Sequence, residues 1–214
     1  MLTIYTIPVS LYCAKLRLLL RHKGLGWQEI APPGGYGSKE YGQLVPAGNL
    51  PALKDGDLLL SDSEAIAEYL NEKYSMPAML PDDISARAKI RQLSRFHDTR
   101  LEPAVRALFA YLPPSPGDPA FFEAQFTIIN TRLQQLAQVL EDGHAVEELT
   151  LGDCGFPITF VWLDALSSLF EQTIEWPEAV ADYRSKIEQH AAVAAELSDY
   201  VPKLTRWLAD LPRP

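Results

Sequence analysis

The sequence predicts an α+β unit of order β-α-β-α-β-β-α followed by a unit built only of helices. Three observations carry this. Strand-like and helix-like segments alternate through about the first 75 residues, which implies a mixed sheet with helices on both faces. Residues 75–83 hold Pro77 and Pro81 and show no periodicity, as a linker does. Beyond them the strand signals vanish, and apolar residues recur at spacings of three and four.

Residues 2–6 alternate and are β-branched, so they read as the first strand. Pro8 and Ser10 punctuate it, and Ser10 is a suitable N-cap for a helix over 11–23. Leu16, Leu19 and Leu20 form the apolar face of that helix, and Gly24 stands at the C′ stop. Residues 27–30 read as the second strand. A Pro/Gly-rich loop over 32–37 precedes a short helix over 38–44. Residues 50–54 and 57–60 form two further strands, with Asp55-Gly56 as the hairpin turn because both tolerate positive φ. Ser61 and Glu64 form a Ser-x-x-Glu capping box that starts a helix to about residue 74.

In the second unit, residues 84–112 read as a long helix kinked at Pro103. A proline-rich break over 113–119 leads to a helix over 120–141, ended by Asp142-Gly143-His144. Thr150-x-x-Asp153 is a capping pattern opening a very apolar helix to about residue 170. Gly152, Gly155 and Pro157 predict an irregular first turn or a kink there. Helices over 178–189 and 193–208 complete the chain. The boundaries fall at 1–76 for the first domain and 84–214 for the second.

Composition excludes several functions. The 214 residues are 47% hydrophobic, enough for a sizeable core. A net charge of −9 with no basic cluster argues against nucleic acid as a partner. No apolar run reaches 18 residues and the N-terminus lacks a basic leader, so neither membrane nor export is expected. Cys13 and Cys154 match no metal or CxxC pattern and read as reduced thiols of a cytoplasmic protein. The histidines at 22, 97, 144 and 190 are scattered, not spaced as metal ligands, and read mostly as surface residues. His97, with Phe96 and Arg100 beside it, leaves a substrate contact open.

Two places exceed what structure alone needs. At Leu50-Pro51, a cis bond would turn the chain and leave the Leu50 backbone free to pair with another peptide. At Asp62-Ser63, the helix N-terminus favours an anion. Ser63 can give a hydroxyl and an N–H to a carboxylate while Asp62 takes an ammonium, matching the two charged ends of an α-amino acid. A trans proline and a plain capped helix remain the alternatives.

Residues 50–53, the hairpin, and residues 61–70 resemble the glutathione-site half of the cytosolic glutathione transferases, and the element order matches the thioredoxin fold. The implied architecture is a thioredoxin-like glutathione-binding domain followed by an all-α domain that contributes the electrophile pocket. Thr150 to Asp153 resembles the family's N-capping box, and residues 200–208 its C-terminal helix. The resemblance implies that Leu50, before Pro51, pairs its backbone with the cysteinyl part of glutathione, and that Asp62 and Ser63 hold the γ-glutamyl end. Lys39 or Asn49 is placed to meet the glycine carboxylate.

Ser10 carries the chemistry on this reading. A helix N-terminus and a hydroxyl donating to sulfur both favour a bound thiolate. Lowering a thiol from about 8.5 by two pH units takes about 2.7 kcal/mol. One charge-assisted hydrogen bond and a helix end, at roughly 1.5–3 and 0.3–1 kcal/mol, can supply that. A simple N-cap serine, worth about 1 kcal/mol to the helix, is the competing reading. Residues 10–15 also resemble the Cys-Pro-Tyr-Cys-x-Lys turn of glutaredoxins, with serine at the nucleophilic cysteine. That argues against disulfide exchange and is similar to the serine-type transferases. Tyr12 then packs or lines the pocket.

The resemblance implies a glutathione S-transferase that activates the thiolate for attack on an apolar electrophile, with glutathione as co-substrate and no metal, as a homodimer. The alternatives are a glutathione-dependent isomerase or lyase of the zeta kind, for which Arg100 and Arg106 are the candidate cations, and a catalytically weak glutathione-binding carrier.

Overall fold

A computed structural model describes residues 1–141 and 148–212. The predicted helix stop at 142–144, with His144, lies outside the described residues. The first unit is a four-stranded sheet of order β2-β1-β3-β4, formed by Leu2–Tyr5 (β1), Trp27–Ile30 (β2), Ala52–Asp55 (β3) and Leu58–Leu60 (β4). β1 runs parallel to β2, as a β-α-β crossover requires, and antiparallel to β3, which forms the closing hairpin with β4. Strand alternation splits the sheet into two faces. Paired Ile4 and Leu53 join the main core, whereas paired Tyr5 and Ala52 join a smaller one with Tyr41 and Val45.

The helices of this unit are Leu11–His22 (α1), Lys39–Leu44 (α2) and Ser63–Lys73 (α3). Two sequence readings shift here. Asp55 still pairs in the ladder, with Leu58, so the hairpin turn is Gly56-Asp57, and Gly56 takes φ 62. Ser61 does not cap α3: Asp62 is the N-cap, its Oδ1 accepting from the N–H groups of Glu64 and Ala65 at 3.0 and 2.9 Å. The Ser-x-x-Glu spacing was matched, but a carboxylate one residue later makes two charge-assisted bonds, and these win. The Leu50–Pro51 bond is cis.

The second unit is helical: Ile84–Phe96 (α4), Glu102–Arg106 (α5), Pro119–Glu141 (α6), Phe156–Leu169 (α7), Glu178–Ile187 (α8) and Ala191–Ala209 (α9). The irregularity expected at Pro103 is a wide π turn over His97–Leu101 just ahead of it, with Pro103 in the first turn of α5, where its missing N–H costs little. The irregular start after Thr150 is a 3₁₀ turn, Leu151–Asp153. Asp153 Oδ2 accepts from the N–H and the hydroxyl of Thr150, and Oδ1 accepts from the Tyr183 hydroxyl at 2.8 Å.

The two glycines of this turn answer to close packing. A Cβ on Gly152 would lie 2.9 Å from the Ile90 carbonyl of α4, and one on Gly155 would lie 2.4–2.7 Å from the ring of His97.

α1 is the hinge of the whole arrangement, since it packs on α3, α7 and α9. Buried Arg17 and half-buried Arg21 of α1 both bond buried Glu196 of α9, at 2.7 and 2.8 Å. The helix that begins at Ser10 is thereby fixed to the C-terminal helix.

Candidate functional site

Ser10 ends the segment after β1 and caps α1. Its Oγ accepts from the Cys13 N–H at 3.3 Å, and among the described residues its own O–H is not spent on another group. Ser10 is half-buried. The turn ahead of it is held from the far end of the chain: the Tyr200 hydroxyl of α9 donates to the Val9 carbonyl at 2.8 Å while accepting from the Trp162 indole at 2.7 Å. Tyr200 is a positioning residue that no local sequence pattern marks, because 191 residues separate the partners.

Tyr12, the other hydroxyl near this turn, donates to Glu102 Oε2 at 3.0 Å. Burial raises its pKa well above the ordinary phenol range, and the negative charge of Glu102 raises it further. Tyr12 therefore stays protonated with its donor committed, and its half-buried ring packs against the main core. Cys13 is buried against Tyr5 and Tyr41. The thiol of Cys154 is buried and pushed up by desolvation and by Asp153 beside it, so it is inert.

Leu50 and Pro51 are buried where β3 begins, and the ladder starts only at Ala52. Among the described residues Leu50 makes no backbone hydrogen bond to another loop or turn. Two contacts fasten this loop. The Tyr41 hydroxyl of α2 donates to the Asn49 carbonyl at 2.8 Å, and the Asn49 side-chain amide donates to the Ser61 carbonyl. Asn49 thus ties the Leu50 loop to the entrance of α3, with its amide donor used on protein. Lys39 is exposed on the first turn of α2.

At α3 the cap geometry sorts the donors. Asp62 Oδ1 takes two N–H groups and leaves Oδ2 for a cation. The Ser63 hydroxyl has no hydrogen-bond partner among the described residues. An unspent carboxylate oxygen beside an unspent hydroxyl at a helix N-terminus suits an α-amino acid head.

Behind Ser63 lies a network that sequence reasoning missed. Lys15 of α1, 2% exposed, bonds Glu64 at 2.8 Å and both oxygens of Asp98 at 2.9 and 3.0 Å. Burial works against its ammonium, but the two carboxylates outweigh it and hold the pKa up. Asp98 also hydrogen-bonds His97 Nδ1 at 2.7 Å, and His97 Nε2 meets the Thr159 hydroxyl at 2.7 Å. His97 is 1% exposed, which corrects its reading as a surface residue or a substrate contact. The one signal in the sequence was a charged residue on the buried side of α1, and nothing local said what it met. His22 and His190 are half-buried. Among the described residues no group of three His, Cys, Asp or Glu is placed to hold a metal ion, and no helix is long and apolar enough to cross a membrane.

A profile of the glutathione S-transferase N-terminal domain matches residues 4–78. Glutathione S-transferase Z2 of Arabidopsis thaliana is 34% identical over 115 residues, covering 52% of each chain, so this chain spans about half the length of that relative. Human glutathione S-transferase theta-1 is 31% identical over 170 residues, 75% of this chain and 69% of the relative. Among solved structures, the holo form of maleyl pyruvate isomerase, a bacterial glutathione S-transferase of the zeta class, superposes with a TM-score of 0.71 at 22% identity, covering 91% of this chain and 95% of that one. This last likeness is one of fold.

Proposed function

The chain belongs to the glutathione S-transferase family, and we propose that it binds glutathione across α1, the Leu50 loop and α3 and uses Ser10 to hold the thiol as a thiolate for attack on an electrophile. The observation that carries the reading is the division of labour between two hydroxyls. That of Tyr12 is committed to Glu102, whereas that of Ser10 is unspent at the N-terminus of a helix fixed by Glu196 and Tyr200.

The roles follow from the donors left over. Leu50 offers its backbone to the cysteinyl residue of glutathione, and Pro51 sets the turn. Asp62 Oδ2 takes the γ-glutamyl ammonium, while the Ser63 hydroxyl and N–H take the carboxylate. Lys39 meets the glycine carboxylate, with Asn49 positioning the loop. The thiolate forms a bond to the electrophilic carbon, the leaving group departs with its electron pair, and the thiol proton passes to solvent. The helical domain supplies the electrophile pocket; the division at residues 77–83, the homodimer and cytoplasmic residence belong to the same proposal.

Calorimetric titration with glutathione tests the binding half. Ser63→Ala removes one charge-assisted hydrogen bond, so Kd rises about tenfold or more, and Asp62→Ala weakens binding further because the cap is lost with the ammonium partner. Binding unchanged in both variants would remove α3 from the site.

A further inference from the structure

We propose that the groove between α7, α8 and α9 binds a small primary ammonium that carries an apolar tail. The groove holds about 460 Å³, within the range of small-molecule sites. Its lining is mostly apolar, with Ala165 of α7 and Leu197, Leu204 and Leu208 of α9.

The charges in this groove do not balance. Arg184 of α8 is the only cation lining it among the described residues, and two carboxylates share it. Its Nη1 and Nη2 donate to Asp164 of α7 at 3.2 and 2.6 Å, and its Nε donates to Glu188, the C-cap of α8, at 2.8 Å. The guanidinium also lies 5.0 Å from the centre of the Trp176 ring and 5.8 Å from that of Phe160, which fixes its plane. A surplus of negative charge remains. The Arg184 side chain is 24% exposed, against 49% for Asp164 and 34% for Glu188, so a ligand meets the carboxylates first.

A third acceptor is unspent. The hydroxyls of Thr99, Thr127 and Thr131 each donate to the carbonyl four residues earlier. That of Thr205 on α9, which lines the groove, has no hydrogen-bond partner among the described residues. An alkylammonium brings three N–H donors and no acceptor, so Asp164, Glu188 and Thr205 can take one each. The carbonyl end of α8 at Glu188 adds to the attraction. The net charge of −9 draws cations and repels anions. None of these residues belongs to the glutathione site, so neither proposal depends on the other.

Octylamine, protonated at pH 7 as a lysine near about 10.4 is, tests this beside octanol and octanoate, which share its chain. Calorimetry gives Kd, and shifts of backbone amide resonances locate the ligand. Octylammonium should bind at least about tenfold tighter than octanol, as a charge-assisted hydrogen bond requires. Octanoate should not bind, and the shifts should cluster at 161–165, 184–188 and 197–208. Glu188→Gln cancels the surplus charge and should weaken octylammonium about tenfold while leaving octanol unchanged. Thr205→Val, of the same shape, should cost a smaller factor. Equal Kd for octylammonium and octanol, or octylammonium binding unmoved in both variants, overturns the cation site. Shifts that fall elsewhere, or no binding of octylammonium to the native protein, overturn the groove as a ligand site.

Discussion

Replacing Asp98 by Asn should destabilise the protein by about 3 kcal/mol at pH 6, and the deficit should shrink in acid. Asp98 is the anion between Lys15 and His97, and its side chain is 9% exposed. Burial by itself would raise its pKa, but the His97 hydrogen bond and the positive charge of Lys15 reverse this and hold it at about 2. A carboxyl whose folded pKa lies below its unfolded one contributes stability above the unfolded value and loses it as pH falls through the folded value. For an ordinary aspartate near 3.9 that contribution is about 2.5 kcal/mol, lost between about pH 4 and pH 2.

The mutational route gives a similar size. Breaking a buried charge pair costs about 3–5 kcal/mol, and Glu64 still faces Lys15, so the lower end applies. In a chain of this length each kcal/mol moves Tm by about 2–4 °C, so Asp98→Asn should melt roughly 6–12 °C lower. The assay is urea unfolding of both proteins at pH 6 and pH 3. The gap should narrow by about 1 kcal/mol at the lower pH. Equal stability at pH 6, or a gap that ignores pH, would refute the placement of an ionised Asp98 at the centre of this network.

Gly155→Ala drives a methyl group into the His97 ring, which hydrogen bonds pin on both sides. Overpacking and a strained hydrogen bond together should cost about 2–4 kcal/mol in thermal unfolding, and an unchanged Tm would contradict the contact. Tyr12→Phe removes one donor from buried Glu102 and should cost about 1–2 kcal/mol of stability, while the titration of the bound glutathione thiol stays in place. A titration shifted as far as in a Ser10 variant would make Tyr12 the activating hydroxyl instead.

Most of the architecture was legible because it rests on local signals. The alternation of residues 2–6, the Ser10 cap and the periodic apolar face of α6 need no knowledge of distant residues, and each of these elements stands within a few residues of its reading. Misreadings arose where two local signals competed. The Ser-x-x-Glu spacing read Ser61 as the cap, and the Asp62 carboxylate, accepting two N–H groups one residue later, beat it. The hairpin turn starts one residue later than the Asp-Gly pair suggested, with Gly56 as its first, left-handed residue. Gly152 and Gly155 read as helix weaknesses, while their cause is the approach of Ile90 and His97 from another helix.

The anchors of the site were the least visible. Glu196 for Arg17 and Tyr200 for Val9 lie more than 170 residues away in sequence, and a one-dimensional pattern carries no sign of such pairs. Lys15 showed only as a charge on a buried face. The cap at Ser10 was visible because a helix start favours a polar side chain there, whereas the roles expected of residues 50–51 and 62–63 came with the family resemblance.

The most direct measurement is the pH titration of thiolate absorbance for glutathione bound to the native protein and to Ser10→Ala. If the Ser10 hydroxyl and the α1 N-terminus together hold the thiolate, the bound thiol titrates near 6.5, about two pH units below a free thiol at about 8.5. Removing the hydroxyl takes away roughly 1.5–3 kcal/mol and returns the titration by about one to two pH units, leaving the smaller helix contribution. A bound thiol that titrates near 8.5 in the native protein, or at the same pH with and without the Ser10 hydroxyl, would contradict the account.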